Sequence, residues 1–289
     1  MVSVLVVNWN TRELLRACLK SLLSNPPKSP QEVIVVDNAS SDGSADMVRA
    51  EFPQVTLVAS PRNLGYAEGN NEAWSRAQGE WRLSLNPDTE VPPGAIDAAV
   101  AKLEASLDCA VLAPRLIGPD GLTQKSVRGF PTVGGILGDL SGLGRLFPGS
   151  FLDSYRLTAF DYETEQRAPQ PMGTFLLYRQ SAVSEVGDPQ RPFDPQFPIF
   201  FNEVDLLLRL AQHGGKCLYV PDIRILHHGG ASTKQVQKSM IWESHRSLIR
   251  FLRKHSRSLG SRMVFPVVAA LIWFGALLRA RGYDVGFRA

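Results

Sequence analysis

The run Val2-Ser-Val-Leu-Val-Val7 constrains the fold more than any other stretch of this chain. It is rich in β-branched residues and almost wholly apolar, with no alternation between faces, as expected of a strand buried on both sides. A strand of that kind needs helices on each face of its sheet. The chain supplies one at once: Thr11 is suited to cap a helix over residues 12–23, where Leu14, Leu15, Cys18, Leu22 and Leu23 share a face. A second apolar strand follows at residues 32–36, then a helix to residue 51 and a strand at 55–59. Strands alternating with helices predict a mostly parallel sheet with right-handed crossovers.

Ligands of such sheets collect outside the carboxyl ends of the strands, so the residues that end each strand carry the chemistry. The first strand ends in Asn8-Trp9-Asn10 and the second in Asp37. A strand at 81–85 is stopped by Pro87 and followed by Asp88. A carboxylate delivered there can hold a hard divalent cation against a phosphate. The plainer reading is a turn, since Asn86, Pro87 and Asp88 all form turns. Between these strands, residues 62–71 carry Gly65, Gly69, Asn63, Asn70 and Asn71 near a helix start. Those residues are poor for helix stability but suit a backbone that must approach another group closely.

Further along, the pattern predicts a helix at 93–106, a strand at 109–116 and a hairpin turn at Pro119-Asp120-Gly121. Residues 130–170 read as a long loose connection, followed by a strand at 172–178. An aromatic stretch from Phe193 to Phe201 leads into Asn202-Glu203-Val204-Asp205 and a helix at 206–213. Two short strands, 216–220 and 223–227, end at His227 and His228. Acids at two strand ends and a helix start, with a histidine pair at a third edge, predict one metal-assisted site. Taken singly, Asp37 could only start a turn, the histidines could be satisfied polar residues, and Asp205 could be the N3 partner of an Asn202 cap.

Several classes are excluded. No G-x-G-x-x-G follows the first strand and no G-x-x-x-x-G-K-[ST] loop occurs, against dinucleotide-dependent enzymes and P-loop hydrolases. Cys18, Cys109 and Cys217 are too few and too far apart for a disulfide framework or a zinc site, which fits a reducing compartment. No secretory signal is visible, so a cytoplasmic location is expected. The net charge of +3 hides an asymmetry: residues 234–289 hold 11 Lys and Arg against two acids, a net +9, leaving −6 for the rest. A basic helix at 235–256 and an apolar run at 263–278, shorter than the ~20 residues that comfortably span a bilayer, predict a tail lying on an anionic membrane surface. A buried packing helix is the alternative. Nucleic acid is not expected, because no stacking platform or binding motif accompanies the charge.

With these residues in hand, the chain resembles glycosyltransferase family 2, inverting enzymes of the GT-A fold, and within it the rhamnosyltransferase-like branch. The resemblance rests on Val4-Leu-Val-Val-Asn-Trp-Asn10, Val35-Val-Asp-Asn-Ala-Ser-Ser-Asp-Gly-Ser44, residues 63–71, Leu85-Asn-Pro-Asp88, Phe200-Phe-Asn-Glu-Val-Asp-Leu206 and His227-His-Gly-Gly-Ala-Ser232. It implies an α/β fold of GT-A type, with a mostly parallel central sheet flanked by helices. The resemblance runs from Val2 to about Thr233: residues 1–116 would form a Rossmann-like, nucleotide-sugar-binding half and 117–233 an acceptor and catalytic half, while 234–289, beyond it, is read from its charge and apolar run as a basic amphipathic helical tail. A nucleotide-diphosphate sugar would be bound by Asn8, Trp9, Asn10, Asp37, Asn63, Gly65 and Asn71. Asp88, with His227 or His228, would hold Mg²⁺ or Mn²⁺ on the diphosphate. The general base would come from Glu203 or Asp205, where relatives commonly carry Glu-Asp-Val-Asp. The resemblance implies transfer of a sugar, rhamnose among the candidates, to a glycan or lipid-linked acceptor in cell-surface polysaccharide synthesis. Two alternatives are a metal-dependent nucleotidyltransferase and an inactive nucleotide-sugar-binding scaffold at the membrane. The first needs a basic triphosphate loop, which Asn8-Trp9-Asn10-Thr11-Arg12 does not make; loss of Asp88 or Glu203 would signal the second, and both are present.

Overall fold

A computed structural model describes residues 1–229, 235–256 and 258–283; the end of the His-Gly-Gly-Ala-Ser stretch, from Gly230, lies outside the described residues. The first strand, β1 (Val2–Asn8), is buried along its whole length. Its residues feed two cores in alternation: Val2, Val4 and Val6 pack on one face of the sheet, Leu5 on the other. After α1 (Arg12–Ser24), β2 (Gln31–Asp37) repeats the pattern, with Val33 and Val35 opposite Ile34 and Val36. Then come α2 (Ser44–Glu51), β3 (Thr56–Ala59), α3 (Gly65–Trp74), β4 (Trp81–Leu85), the short β5 (Thr89–Glu90), α4 (Ala95–Ala105) and β6 (Cys109–Ile117). Helices α1, α2 and α4 cover one face.

The second half adds β7 (Val127–Arg128), α5 (Val133–Leu140), α6 (Leu143–Leu146), a 3₁₀ turn (Phe151–Asp153), β8 (Gln166–Arg167), β9 (Gln170–Pro171), β10 (Phe175–Arg179), α7 (Gln180–Ser184), α8 (Asn202–Gln212) and β11 (Lys216–His227). Helices α3, α7 and α8 cover the other face of the sheet. The sheet runs β3-β2-β1-β4-β10-β6-β11-β5, with β8 beside β11, while β7 and β9 form a separate two-stranded ribbon. Pairs β1–β2, β1–β4, β2–β3 and β6–β11 are parallel. Strand β10 inserts antiparallel between β4 and β6.

Four elements differ from the sequence reading. The stretch 130–170 is not loose: it holds α5 and α6, whose glycines at 134, 135, 138 and 144 mask the helical period. The two strands expected at 216–227 are one, broken by a register shift between Val220 and Arg224, where Pro221 has no N–H to give the ladder. Helix α8 begins four residues earlier than expected, at Asn202. The final apolar helix, Leu259–Ala280, is longer than the expected apolar run at 263–278 and continues through Pro266.

These last helices are α9 (Gln237–His255) and α10 (Leu259–Ala280). Leu248, Phe251 and Leu252 of α9 share a core with Val133 and Ile136 of α5 and Val204 of α8, and Val268 and Ile272 of α10 join it. So the basic tail shares a core with the segment from α5 to α8. Helix α10 is long and apolar enough to cross a membrane by length and composition, and only 22% of its most apolar window is buried.

Candidate active site

The register of β1 sets the site. Asn8 stands opposite Asp37 on β2, and Val6 opposite Leu85 on β4, so three strands end side by side. A cleft of about 790 Å³ opens at that edge. Val7, Trp9 and Asn38 line it from the β1 and β2 ends, Asp88 from the turn after β4, and Glu203 from the start of α8. The β7–β9 ribbon forms another wall, and Met240 of α9 closes on the cleft from the tail.

Asp88 is buried and meets a histidine: His227 Nε2 lies 3.5 Å from Asp88 Oδ1. The turn after β6 returns Gln124 beside that strand, with Gln124 N donating to Leu116 O at 2.9 Å. Gln124 then grips His227 twice. Its Nε2 donates to the His227 carbonyl at 3.0 Å, which turns its Oε1 toward His227 Nδ1 at 2.7 Å. An amide oxygen only accepts, so Nδ1 carries a proton and the neutral ring keeps a lone pair on Nε2. That Nε2 is buried and has no hydrogen-bond partner. A carboxylate and an orphaned imidazole nitrogen make two ligands of a hard or borderline cation, and a histidine held at its far nitrogen is the usual way to orient one. Among the described residues no cluster of three His, Cys, Asp or Glu is present. Such a cation would take its remaining ligands from phosphate and water, as Mg²⁺ commonly does. His228 does not join: its Nε2 meets Glu90 Oε1 at 2.8 Å, and it is not among the residues lining the cleft.

Glu203 faces the same cleft from the first turn of α8. Its Oε2 is buried and has no hydrogen-bond partner. Burial pushes its carboxyl up to about 7, against the pull of the Glu203 and Val204 backbone N–H groups at the helix start. Gly173 makes room for it: a Cβ there would lie 3.1 Å from Glu203 Cγ. The residue before α8, Phe201, sits at φ 71°, in the left-handed region that bulky residues avoid. Phe251 of α9 packs on its ring at 5.6 Å between centroids, so the tail helps hold the turn that aims Glu203. The Tyr66 hydroxyl bridges the two acidic elements, donating to Asn86 Oδ1 at 2.7 Å and approaching the Gly173 carbonyl at 3.4 Å. Burial first, then the negative charges of Glu203 and Asp88, push its pKa up to about 12.

Asp205 points the other way. It is fully buried on the far side of α8, with His255 Nε2 at 2.8 Å, Lys254 Nζ at 2.7 Å and Arg209 Nε at 2.9 Å. Burial alone would raise its pKa, but these three cationic or donating groups hold it down at about 2. It is also the fourth residue of α8, not the N3 partner of an Asn202 cap; Asn202 Nδ2 donates to Ile199 O instead. Its job is to tie α9 to α8. Of the residues expected around the donor, Trp9, Asn63 and Gly65 line the cleft. Gly65 is required there, since at φ +81° a Cβ would lie 2.8 Å from the Pro198 carbonyl, the group its backbone approaches. Asn8 and Asp37 stand just behind the wall: Asn8 Nδ2 and Ser40 N donate to the Asp37 carboxylate at 2.9 and 3.0 Å. Asn10 lies outside the cleft, accepting from Ser41 N. Asn71 does not reach the donor side, because both ends of its amide are spent on the Phe193 backbone, at 2.8 and 2.9 Å.

Residues 3–187 match the profile of Glycosyl transferase family 2. The chain belongs to this family. It is 29% identical over 273 residues to an N-acetylglucosaminyl-diphospho-decaprenol L-rhamnosyltransferase of Mycobacterium tuberculosis, covering 89% of this chain and 85% of that one. An O-antigen biosynthesis protein of Myxococcus xanthus is 25% identical over 239 residues, 81% of this chain and 18% of that much longer one. Among solved structures, a mannosyltransferase from Pyrobaculum calidifontis in complex with GDP-Man and Mn²⁺ superposes with a TM-score of 0.60 at 18% identity, covering 98% of this chain and 76% of that one. S. aureus TarS 1-349 in complex with UDP superposes at 0.56 and 17% identity, covering 96% and 79%. The fold is GT-A.

Within this family 2 framework, the sequence reading missed Gln124, Tyr66, Gly173 and Arg128. Gln124 follows the recognised turn at 119–121, and a strand pairing back from that turn was the available signal. Nothing local marks Gly173, whose role depends on Glu203 approaching from 30 residues away. The two acids of α8 are expected to respond oppositely to neutralisation. Glu203 binds its proton more tightly folded than unfolded, so its stabilising contribution is complete below the usual 4.5 and lost as pH rises to about 7. Glu203→Gln should therefore raise the melting temperature relative to wild type at pH 8 and change little at pH 4. Asp205→Asn should cost about 3 kcal/mol at pH 7, the scale of a broken buried charge network. Thermal melts of both variants across this range check the pair, and a Glu203→Gln protein less stable than wild type at pH 8 would contradict the assigned environment.

Proposed function

We propose that this chain transfers a sugar, a deoxyhexose such as rhamnose, from a nucleoside-diphosphate donor to a lipid-diphosphate-linked glycan, with inversion at the anomeric carbon. The observation that carries this is a single desolvated carboxyl, Glu203, facing the cleft that the Asp88–His227 pair also faces. The base and rim of the nucleotide would lie against Val7, Trp9 and Asn38, with Asp37 behind them. Asp88 and His227 would hold Mg²⁺ or Mn²⁺, whose charge stabilises the departing diphosphate. The acceptor hydroxyl gives its proton to Glu203 as its oxygen bonds to the anomeric carbon. The bond from that carbon to the diphosphate oxygen breaks on the opposite face, and the nucleoside diphosphate leaves. The acceptor class follows from the mycobacterial relative, which is named for a diphospho-decaprenol substrate.

A lipid-linked acceptor asks for an enzyme on the cytoplasmic face of a membrane, and α10 supports that location. Met263, Val267 and Phe274 are 73%, 61% and 58% exposed, and the helix carries Arg262 at one end and Arg279 and Arg281 at the other. An apolar face bordered by arginines suits an anionic lipid surface.

Two expectations follow. Glu203→Gln should lower turnover by about 10²- to 10⁴-fold, the range of a lost general base, while nucleoside-diphosphate affinity stays within about threefold. The active form of Glu203 is deprotonated, so wild-type turnover should climb through about pH 7; a rate flat between pH 5.5 and 8 would assign the base elsewhere. Separately, the double variant Val267→Asp, Phe274→Asp should lose flotation with vesicles containing anionic phospholipid while keeping nucleoside-diphosphate binding. Unchanged flotation would remove α10 from the membrane contact.

A further inference from the structure

Most arginines of this protein have a structural partner. Arg115 pairs with Glu163, Arg209 with Asp205, and Arg82 donates to the carbonyls of Trp74, Ala77 and Gly79. Two cations on the cleft wall do not. The side chains of Lys125 and Arg128 line the cleft, and among the described residues neither has a carboxylate within ion-pairing distance. The Arg128 guanidinium lies over the Tyr155 ring, 5.8 Å from its centroid, partly buried and with its hydrogen-bonding edge uncommitted. A guanidinium positioned over an aromatic ring keeps its charge and its N–H donors available for bidentate contact with an anion.

The backbone says which anion. Gln124, Lys125, Ser126 and Arg128 follow one another along the segment that leads into β7, and all four line the cleft. Between them, Val127 turns into a separate apolar cluster with Ala168 and Tyr219. The segment is fixed by Met172 N donating to Ser126 O at 2.8 Å and by the pairing of Arg128 with Gln170. Gln124 marks the Asp88–His227 end, where it holds the histidine. Arg128 stands four residues further, up to ~13 Å at the rise of an extended chain. A single diphosphate cannot fill both ends. Arg128 instead belongs to the wall beside Glu203: its ribbon partner Gln170 leads through Met172, whose N–H donates to Ser126 O at 2.8 Å, to Gly173, where a Cβ would lie 3.1 Å from Glu203 Cγ.

We propose that Arg128, with Lys125 at the rim, forms a second phosphate subsite that holds the diphosphate of the lipid-linked acceptor, so that its sugar hydroxyl reaches Glu203. This rests on the glycosyltransfer reading and names the part of the cleft that selects the acceptor. It makes the cleft a two-anion site, one anion at the strand ends and one on the β7–β9 ribbon. Arg128 is a binding residue in this account and takes no proton.

The test uses the full chain and two probes. A nucleoside diphosphate with Mn²⁺ reports the donor end, and geranyl diphosphate, added with the donor end saturated, reports the second subsite; both are read by calorimetry. Arg128→Gln and Lys125→Gln should weaken geranyl diphosphate by about 10- to 100-fold and about 3- to 10-fold, with nucleoside-diphosphate affinity unchanged, as expected for lost charge-assisted contacts. Arg128→Lys should recover part of the loss, which a purely structural role for Arg128 would not produce, and melting temperatures of the variants should stay near wild type. If Arg128→Gln weakens the nucleoside diphosphate instead, Arg128 serves the donor and the proposal is overturned. It is equally overturned if wild type with its donor end filled does not bind geranyl diphosphate, or if the variants bind it as wild type does. Failure of wild type to bind any nucleoside diphosphate with Mn²⁺ would overturn the glycosyltransfer reading itself and the subsite with it.

Discussion

The register that β1 imposes on its two parallel neighbours is the constraint from which the rest of the site follows. Because Asn8 stands opposite Asp37 and Val6 opposite Leu85, the ends of three strands fall on one line. A slip of one residue would turn every side chain of β1 to the other face and empty both cores at once. That cost fixes the register, and the fixed register sets where Asp88 leaves its strand. The binding edge is thus a by-product of packing Val2, Val4 and Val6 against one layer of helices and Leu5 against the other.

Glu203 is held by different means. It comes from a helix on the far side of the chain, and its position depends on a strained residue, Phe201, on Gly173 beside it and on the α9 helix behind it. Left-handed backbone at a bulky residue costs about 1–3 kcal/mol, and packing must over-determine it. The Phe251 ring and the Asp205–His255–Lys254 network supply that packing. So a segment that reads as a charged tail is part of what aims Glu203 into the cleft. One of its counted charges, Lys254, pairs inward with Asp205, beside His255, and not outward with lipid. The basic count of the tail therefore overstates what is left for a membrane.

Much of this was legible in the sequence, for a physical reason. Buried parallel strands need continuous apolar runs, and an acid directly after such a run has few other places to go, so Asp37 and Asp88 could be read from their neighbours alone. That Glu203 and Asp205 point different ways was legible too, because residues two apart on a helix cannot face the same way, but which of them meets the cleft was not. What stayed hidden is what depends on distant segments meeting. Asn71 resembles a donor ligand by its position near Gly65 and Gly69, yet its amide is consumed by Phe193, 122 residues away in sequence. His228 resembles its neighbour His227, but a strand turns adjacent side chains apart, and Glu90 captures the second ring. Gln124 lies in the connection before β7, and Arg128 on a strand of two residues, too short to give any periodic signal.

The central claim is that Asp88 and His227 receive a divalent cation at the strand ends while Glu203, in the same cleft, remains free of it. Crystals grown with Mn²⁺ and a nucleoside diphosphate, with diffraction recorded at the manganese absorption edge, test this most directly. The account predicts one anomalous peak within coordination distance of Asp88 and His227 Nε2, with His228 still on Glu90 and Glu203 outside the coordination sphere. A peak bound by Glu203, or one at His228 and Glu90, would contradict it.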